Sequence, residues 1–423
     1  MKNKIFQYLC PSRKFFFFYY QFLIFKKLLK KISKMGCCEK RKQVINNNKI
    51  TDVLYNDKLV PDLSVSEPQS NRISTRSSLE SSNLSLEDFK TLKTLGKGSF
   101  GKVYLVKNIN TDKIYAMKVL DKQFVIQKKQ ISHTKTERIA LEKLKHPFIV
   151  KLRYAFQDIK NLYFITEFLQ GGELFFHLRK NSGYKEKAVK FYMSQVLLAL
   201  EFMHNNNYIY RDLKPENIMI DREGNIKLTD FGLSKIMKPN ETTYTLCGTA
   251  EYLAPEILFG QGYDKTCDWF SFGVVIFELF CGYHPFRCKN KKIDPTIYLR
   301  KTYIPDKVPK DAKDLIEKLF VNNPKKRLGY KSADEVKNHP FFKDIDFDKV
   351  LNKEYKPPFV PKLDSETDLK YFEQIDGGME EEKKENEENK ESEELLVKKE
   401  LDDKDDLHFE GFSYEQQDEQ GQI

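Results

Sequence analysis

Apolar positions along this chain follow two different periods, and one gives way to the other near Gly171. In YAMKVL (115–120), YFITEF (163–168) and IKLTDF (226–231) β-branched and aromatic residues form short runs that read as strands. In KTERIALEKL (135–144) and AVKFYMSQVLLALEFMH (188–204) the apolar residues recur at helical spacing. Strands cluster early and helices dominate later. Patterned sequence begins at residues 86–89. Residues 36–86 are rich in Asn, Ser, Lys and Asp and read as a disordered linker. Beyond residue 342 the chain is punctuated by proline (YKPPFVPKL), then strongly acidic, and closes on HFEGFSY. No internal repeat is visible.

Composition sharpens this division. At 423 residues, with 40% hydrophobic and 13% aromatic residues, the chain can fill a substantial core, while 32% charged residues call for long solvated stretches. The formal charge of +10 is unevenly spread: residues 1–50 hold thirteen Lys or Arg and one acid, Glu39, whereas residues 380–406 hold fourteen acids against six Lys. A basic head, a folded middle and an acidic tail segment follow. Seven cysteines (Cys10, Cys37, Cys38, Cys247, Cys267, Cys281, Cys288) are an odd number without zinc spacing, which fits a reducing cytoplasmic compartment. Residues 15–25 (FFFFYYQFLIF) are very apolar but shorter than the ~20 residues of a membrane span. A signal peptide would need a small-residue cleavage site, and none is clear.

The patterned middle carries five motifs in order. LGKGSFGKV (95–103) is a glycine loop with Gly96, Gly98 and Gly101, whose backbone can close over phosphates and present N–H groups to them. Such loops also occur in dinucleotide-binding folds, but here Val103 and YLVKN continue as a strand, not a helix. Lys118 stands in the apolar strand YAMKVL and calls for an anionic partner; Glu137, nineteen residues on, lies on a helix that can meet it. As an edge-strand lysine, Lys118 would need none. In YRDLKPEN (210–217), Asp212 can accept a proton from a hydroxyl, Lys214 can balance a transferring phosphoryl, and Asn217 is an oxygen ligand for a hard cation. DFG follows at 230–232 and APE at 254–256; Asp230 offers a carboxylate to Mg²⁺. Each string alone could be an ordinary loop or turn; the ordered set leaves that reading little room.

Residues 89–342 resemble a eukaryotic protein kinase domain throughout, by these motifs. The subfamily resembled is AGC, through YRDLKPEN with Tyr210 where many kinases have His, TLCGTAEYLAPE (245–256), and a tail with PPFVPKL (357–363), DLKYFE (368–373) and FEGFSY (409–414). Within it, the chain is most similar to the protein kinase B, SGK and ribosomal-protein kinase group. The resemblance implies an α+β, bilobal fold: a small β-rich N-lobe, a larger helical C-lobe, and an AGC C-terminal tail. It implies three segments: a disordered basic, Ser-rich stretch over 1–85, a kinase domain over 89–342, and a C-terminal extension over 343–423. ATP and Mg²⁺, or Mn²⁺ in its place, are the implied cofactors. Lys118 would grip the α/β-phosphates and pair with Glu137; Asp212 would be the catalytic base, assisted by Lys214; Asn217 and Asp230 would hold the metal. Leu95, Gly96, Gly98, Gly101, Val103 and Ala116 would line the nucleotide, with Thr166 as gatekeeper, Glu167 and Leu169 at the hinge, and Phe372 reaching in from the tail. Glu173, Glu216 and Glu278 match acidic positions that read arginines before the phosphoacceptor, and Arg327 would pair with Glu256.

The chain departs from the pattern in places. Ala250 stands where the family usually has Pro, and no Thr-Pro turn motif precedes FEGFSY, where an acidic insert stands instead. A catalytically dead binding module would require loss of Lys118, Asp212, Asn217 or Asp230, and all four are present. A small-molecule kinase is disfavoured by APE and the arginine-reading carboxylates. Regulation is expected at Thr245, whose phosphate would sit near Arg211, Lys235 and His133, and at Ser413, beside Phe409 and Phe412. Expected partners are protein substrates with upstream arginine and an activating kinase for Thr245. No nucleic-acid partner and a monomeric state are expected. Met35-Gly36-Cys37-Cys38 resembles a protein start, with Gly36 open to myristoylation and Cys37 and Cys38 to palmitoylation. Lys40 occupies the place where that pattern wants Ser or Thr. Dual acylation with Lys40, Arg41 and Lys42 would anchor the chain to membrane. A genuine N-terminus at Met1 with unmodified cysteines is the alternative, and both readings stay open.

Overall fold

The computed structural model describes residues 84–97, 101–179, 184–238, 241–286, 302–372 and 409–416, all within one compact unit, Ser78–Ile423. Gly98, the apolar segment 15–25, Gly36, Cys37, Cys38 and the acidic segment 380–406 lie outside the described residues.

The early strand runs form an antiparallel sheet. A 3-10 turn, Leu86–Asp88, opens with Ser85, whose backbone N–H donates to Asp88 Oδ2 at 2.8 Å. Then come β1 (Phe89–Lys97), β2 (Gly101–Asn108) and β3 (Ile114–Asp121). Asp121 ends β3 and caps α1 (Lys122–Gln127) by accepting from the Phe124 N–H at 2.6 Å. α2 (Ile131–Lys143), β4 (Leu152–Gln157) and β5 (Asn161–Glu167) complete the lobe. The strand order is β1-β2-β3-β5-β4, with one more strand, introduced below, on the β4 edge. Period-two alternation sorts β3: Tyr115 and Met117 join Phe89, Phe156, Tyr163 and Ile165 in a cluster on one face. Ala116 and Lys118 take the other face, paired in register with Leu105 and Val103 on β2 and with Thr166 and Phe164 on β5.

Beyond Glu167 helices take over. β6 (Gly172–Glu173) and α3 (Leu174–Arg179) lead to α4 (Glu186–Asn205); β7 (Tyr208–Ile209) pairs with β10 (Lys235–Ile236), and β6, β8 (Ile218–Ile220) and β9 (Ile226–Leu228) form a three-stranded sheet. α5 (Pro255–Leu258), α6 (Thr266–Cys281) and α7 (Lys310–Leu319) follow. Every residue of α6 is buried, as its near-continuous apolar sequence demands, and Gly282 closes it in the left-handed region at φ 77°. The fold is therefore α+β, a β-sheet N-lobe joined to a helical C-lobe. The strand expected over 226–231 stops at Leu228, because Asp230 takes φ 55°, which extended pairing cannot accommodate.

The tail returns to both lobes. Gly172, at φ 71°, leaves no room for a Cβ against the Tyr371 carbonyl, so the tail backbone lies directly on the segment after β5. The final strand, β11 (Tyr414–Glu415), pairs antiparallel with β4. Among the described residues no helix is long and apolar enough to cross a membrane.

Candidate active site

The lysine of β3 meets the glutamate of α2: Lys118 Nζ lies 2.7 Å from Glu137 Oε1 and 3.6 Å from Asp230 Oδ1. Burial works against charge on Lys118, but the Glu137 and Asp230 carboxylates more than offset it, and its ammonium is held above its ordinary range. Asp230 is held below the usual carboxylate range by Lys118, against the opposing effect of burial and with help from Lys214. Phe231, next in sequence, is fully buried against Tyr210, ring centroids 5.3 Å apart, which fixes the turn that aims Asp230 at the lysine.

Asp212 is buried, and both of its carboxylate oxygens accept hydrogen bonds. Its Oδ2 accepts from Lys214 Nζ at 2.8 Å and Asn217 Nδ2 at 2.9 Å; its Oδ1 accepts from Thr249 Oγ1 at 2.8 Å and the Thr249 N–H at 3.2 Å. Lys214 also donates to Thr249 Oγ1 at 2.9 Å. Asn217 Nδ2 donates to the Asp212 carbonyl as well, at 2.8 Å, which leaves the amide oxygen as the atom a cation could take. Among the described residues no three His, Cys, Asp or Glu gather as a metal cluster. The Asn217 amide oxygen and the Asp230 carboxylate are oxygen donors of the kind a hard cation takes, and waters or phosphate oxygens would complete its shell.

The loop bearing Asp212 hangs from α6. Asp268 Oδ2 accepts from the Tyr210 N–H at 3.0 Å and lies 2.7 Å from His204 Nε2, while its Oδ1 accepts from the Arg211 N–H at 2.8 Å. Below it, Arg327 and Glu256 form a two-pronged pair at 2.6 and 2.7 Å, each 1% exposed. Thr249 and Asp268 were not singled out from sequence; Thr249 lies inside the TLCGTAEYLAPE motif, which was the available signal.

Gly96, Val103, Ala116 and Thr166 share the sheet face that carries Lys118, while Glu167, in register with Tyr115, ends its strand on the other face. Val103 sits opposite Lys118, and Ala116 opposite Thr166. Leu95 and Gly96 lie near the end of β1, and Gly96 pairs with Val103. Leu169 is buried, and Glu167 Oε1 accepts from the Lys151 N–H at 2.8 Å and lies 2.7 Å from Lys227 Nζ. Phe372 stacks on Phe168 with ring centroids 5.6 Å apart, so the tail does reach the segment between the lobes.

Of the substrate-side carboxylates, Glu216 is exposed on the 3-10 turn Pro215–Asn217, Glu173 is half-buried on β6, and Glu278 is buried on α6. Tyr252 O–H donates to Glu278 Oε2 at 2.7 Å. Thr245 is exposed; its carbonyl accepts from Tyr263 O–H at 2.7 Å. Of the three groups expected around it, Arg211 is linked to it through Tyr263, whose hydroxyl accepts from Arg211 at 3.2 Å, and all three have other partners as well. Arg211 donates to the carbonyls of Leu233 at 2.5 Å and Ser234 at 3.4 Å; Lys235 donates to Thr243 Oγ1 at 3.0 Å; His133 Nδ1 lies 2.6 Å from Gln130 Oε1.

Phe409 and Phe412 are buried. Phe412 packs edge-on to Phe164 at 5.1 Å, and Phe164 in turn lies under Lys118 Nζ at 5.8 Å. Arg138, on the helix of Glu137, donates to the carbonyls of Phe412 and Ser413, both at 3.0 Å. Ser413 itself is exposed.

Residues 89–342 match the family described as "Protein kinase domain". The chain is 44% identical over 334 residues to "Protein kinase 2" of Dictyostelium discoideum, covering 78% of this chain and 67% of that one. It is 46% identical over 293 residues to "Serine/threonine-protein kinase YPK2/YKR2" of Saccharomyces cerevisiae, covering 69% of this chain and 43% of that one. To the "RAC family serine/threonine-protein kinase homolog" of D. discoideum it is 42% identical over 299 residues, covering 70% and 67%. The chain thus spans less than half the length of the yeast relative.

Proposed function

The chain belongs to the protein kinase family, in the AGC group of serine/threonine kinases, and from that premise we propose that it phosphorylates Ser or Thr of proteins bearing arginine upstream of the acceptor. ATP is the phosphoryl donor, and a bound Mg²⁺ would supply charge neutralisation for that group.

The observation that carries this reading is the convergence of Asp212, Lys214 and Asn217 with the Lys118–Glu137–Asp230 ion triad. Asp212 accepts the proton of the attacking hydroxyl. Lys214 and Thr249 hold its carboxylate at fixed orientation, so little reorganisation remains at the moment of transfer. Asn217 and Asp230 would hold the cation, and Lys118, fixed by Glu137, would hold phosphate oxygens. Glu173, Glu216 and Glu278 take guanidinium groups of the substrate, for which paired N–H donors fit a carboxylate. A phosphate on Thr245 would add a charged partner for Arg211, whose bonds to Leu233 and Ser234 already join the two loops. Ser413 lies where a phosphate would reinforce the hold of Arg138 on the tail.

The test is an arginine scan in peptides around one Ser, with Mg²⁺ and without. Selection for arginine at the third residue upstream, lost without the metal, is expected; equal rates on an arginine-free peptide would refute it. Activation should follow mass-localised phosphorylation of Thr245, and Thr245→Ala should remove it.

A further inference from the structure

Glu278 is an odd reader of arginine, because it is already out of water. It is 3% exposed, its Oε2 accepts from Tyr252 O–H at 2.7 Å, and among the described residues no Lys, Arg or His lies within ion-pair distance. Of the two groups that bear on it most directly, Glu216 is of like sign and Tyr252 is a hydroxyl. Glu216 faces it from the turn Pro215–Asn217, Tyr252 from the stretch before α5, and Glu251 acts on Tyr252. The His284 ring sits 5.1 Å from that of Tyr252. A buried carboxylate without a cation is costly, and the usual remedy is to take up a proton. Burial pushes the Glu278 carboxyl up to about 7; the Tyr252 hydrogen bond pulls it back, and Glu216 adds to the rise.

We propose that Glu278 makes the reading of a second substrate arginine proton-linked: its carboxyl holds a proton while no guanidinium is present and releases it to solvent when one binds. This rests on the arginine-reading role proposed above. No covalent bond changes; one proton leaves and one cation takes its place. Arginine stays protonated throughout, so only the carboxyl titrates. Preference for a two-arginine substrate over a one-arginine substrate then depends on pH, although both substrates carry the same acceptor. With the midpoint near neutrality, the ionised fraction rises about tenfold between about pH 6 and about pH 8, and the preference rises with it.

The experiment compares peptides with arginine at the third upstream residue alone and with a further arginine at the second or the fifth. The ratio of their kcat/KM values, taken at each pH, cancels effects common to both. The expected result is a ratio that grows about tenfold from about pH 6 to about pH 8 for at least one of the doubly substituted peptides. Calorimetry near pH 7 in buffers of different ionisation heat should show about half a proton released per two-arginine peptide and none for the other. Glu278→Gln should lower the ratio and flatten its pH dependence. A clear preference that is constant with pH, with no proton release, overturns the coupling and leaves arginine reading intact. No preference for any arginine, at any pH, overturns the arginine reading itself.

Discussion

Replacing Phe412 by Ala tests whether the tail supports the ion pair at the active site. The ring is 3% exposed and packs edge-on to Phe164, whose face lies under Lys118. Truncating a buried Phe to Ala costs about 3–5 kcal/mol where the site cannot collapse. The lower end applies here, because the docked segment is short and can leave as a unit, carrying no core with it. About 3 kcal/mol is roughly a hundredfold in the ratio of docked to undocked tail. The two Arg138 bonds and the pairing of β11 with β4 use backbone atoms and not the ring, so the substitution weakens docking through packing alone. Undocking frees Arg138 and the helix that carries Glu137, and the Lys118–Glu137 pair loses its backing. The expected outcome is a fall in kcat/KM on a peptide substrate of about ten- to a hundredfold, with faster hydrogen exchange in β11, β4 and α2. Unchanged rate with unchanged exchange would refute the link. Faster exchange at full rate would show that docking occurs but does not support catalysis.

Arg327→Met should be strongly destabilising, by about 3–5 kcal/mol, because it strands Glu256 at 1% exposure without its cation. Thermal unfolding should show it, and adding Glu256→Leu should recover part of the loss; a melting temperature within a degree or so of wild type counts against the pair as a structural bolt. His146 stacks on Phe202 at 4.9 Å, and burial, aided by Lys227, holds its imidazole down to about 4. The unfolded chain therefore takes up a proton that the folded chain refuses, and stability should fall as pH drops from about 6.5 towards about 4. Denaturant midpoints across that window should fall less for His146→Gln; parallel falls would show that other groups set the slope.

Much of the fold and site was legible because the signals are local. The Gly-rich loop, the lysine strand, YRDLKPEN and DFG each place their chemistry within a few residues, and the period change marks where sheet gives way to helix. Glu137 was reachable because helical spacing put it on a face that could meet Lys118. What escaped depends on contacts between distant segments. Thr249 looks like an ordinary loop residue until the fold lays it on Asp212, and Asp268 reads as one acid in an apolar helix until Tyr210 and Arg211 hang their N–H groups on it. The partners of Arg211, Lys235 and His133, backbone carbonyls and neighbouring polar side chains, leave no trace in sequence. The burial of Glu278 was equally hidden: its helix is enclosed on every side, so spacing along α6 does not separate an inner face from an outer one.

The central claim is that Asp212 receives the proton of a protein hydroxyl while the surrounding groups hold the phosphoryl donor. The most direct measurement is single-turnover transfer of labelled γ-phosphate from ATP to an arginine-bearing Ser peptide, with nucleotide affinity measured in parallel, for wild type and Asp212→Ala. The account predicts Mg²⁺-dependent transfer by the wild type, and loss of about 10²–10⁴ in rate for the variant with ATP binding largely retained. Near wild-type transfer by Asp212→Ala, or label passing to small alcohols and not to the peptide, would contradict it.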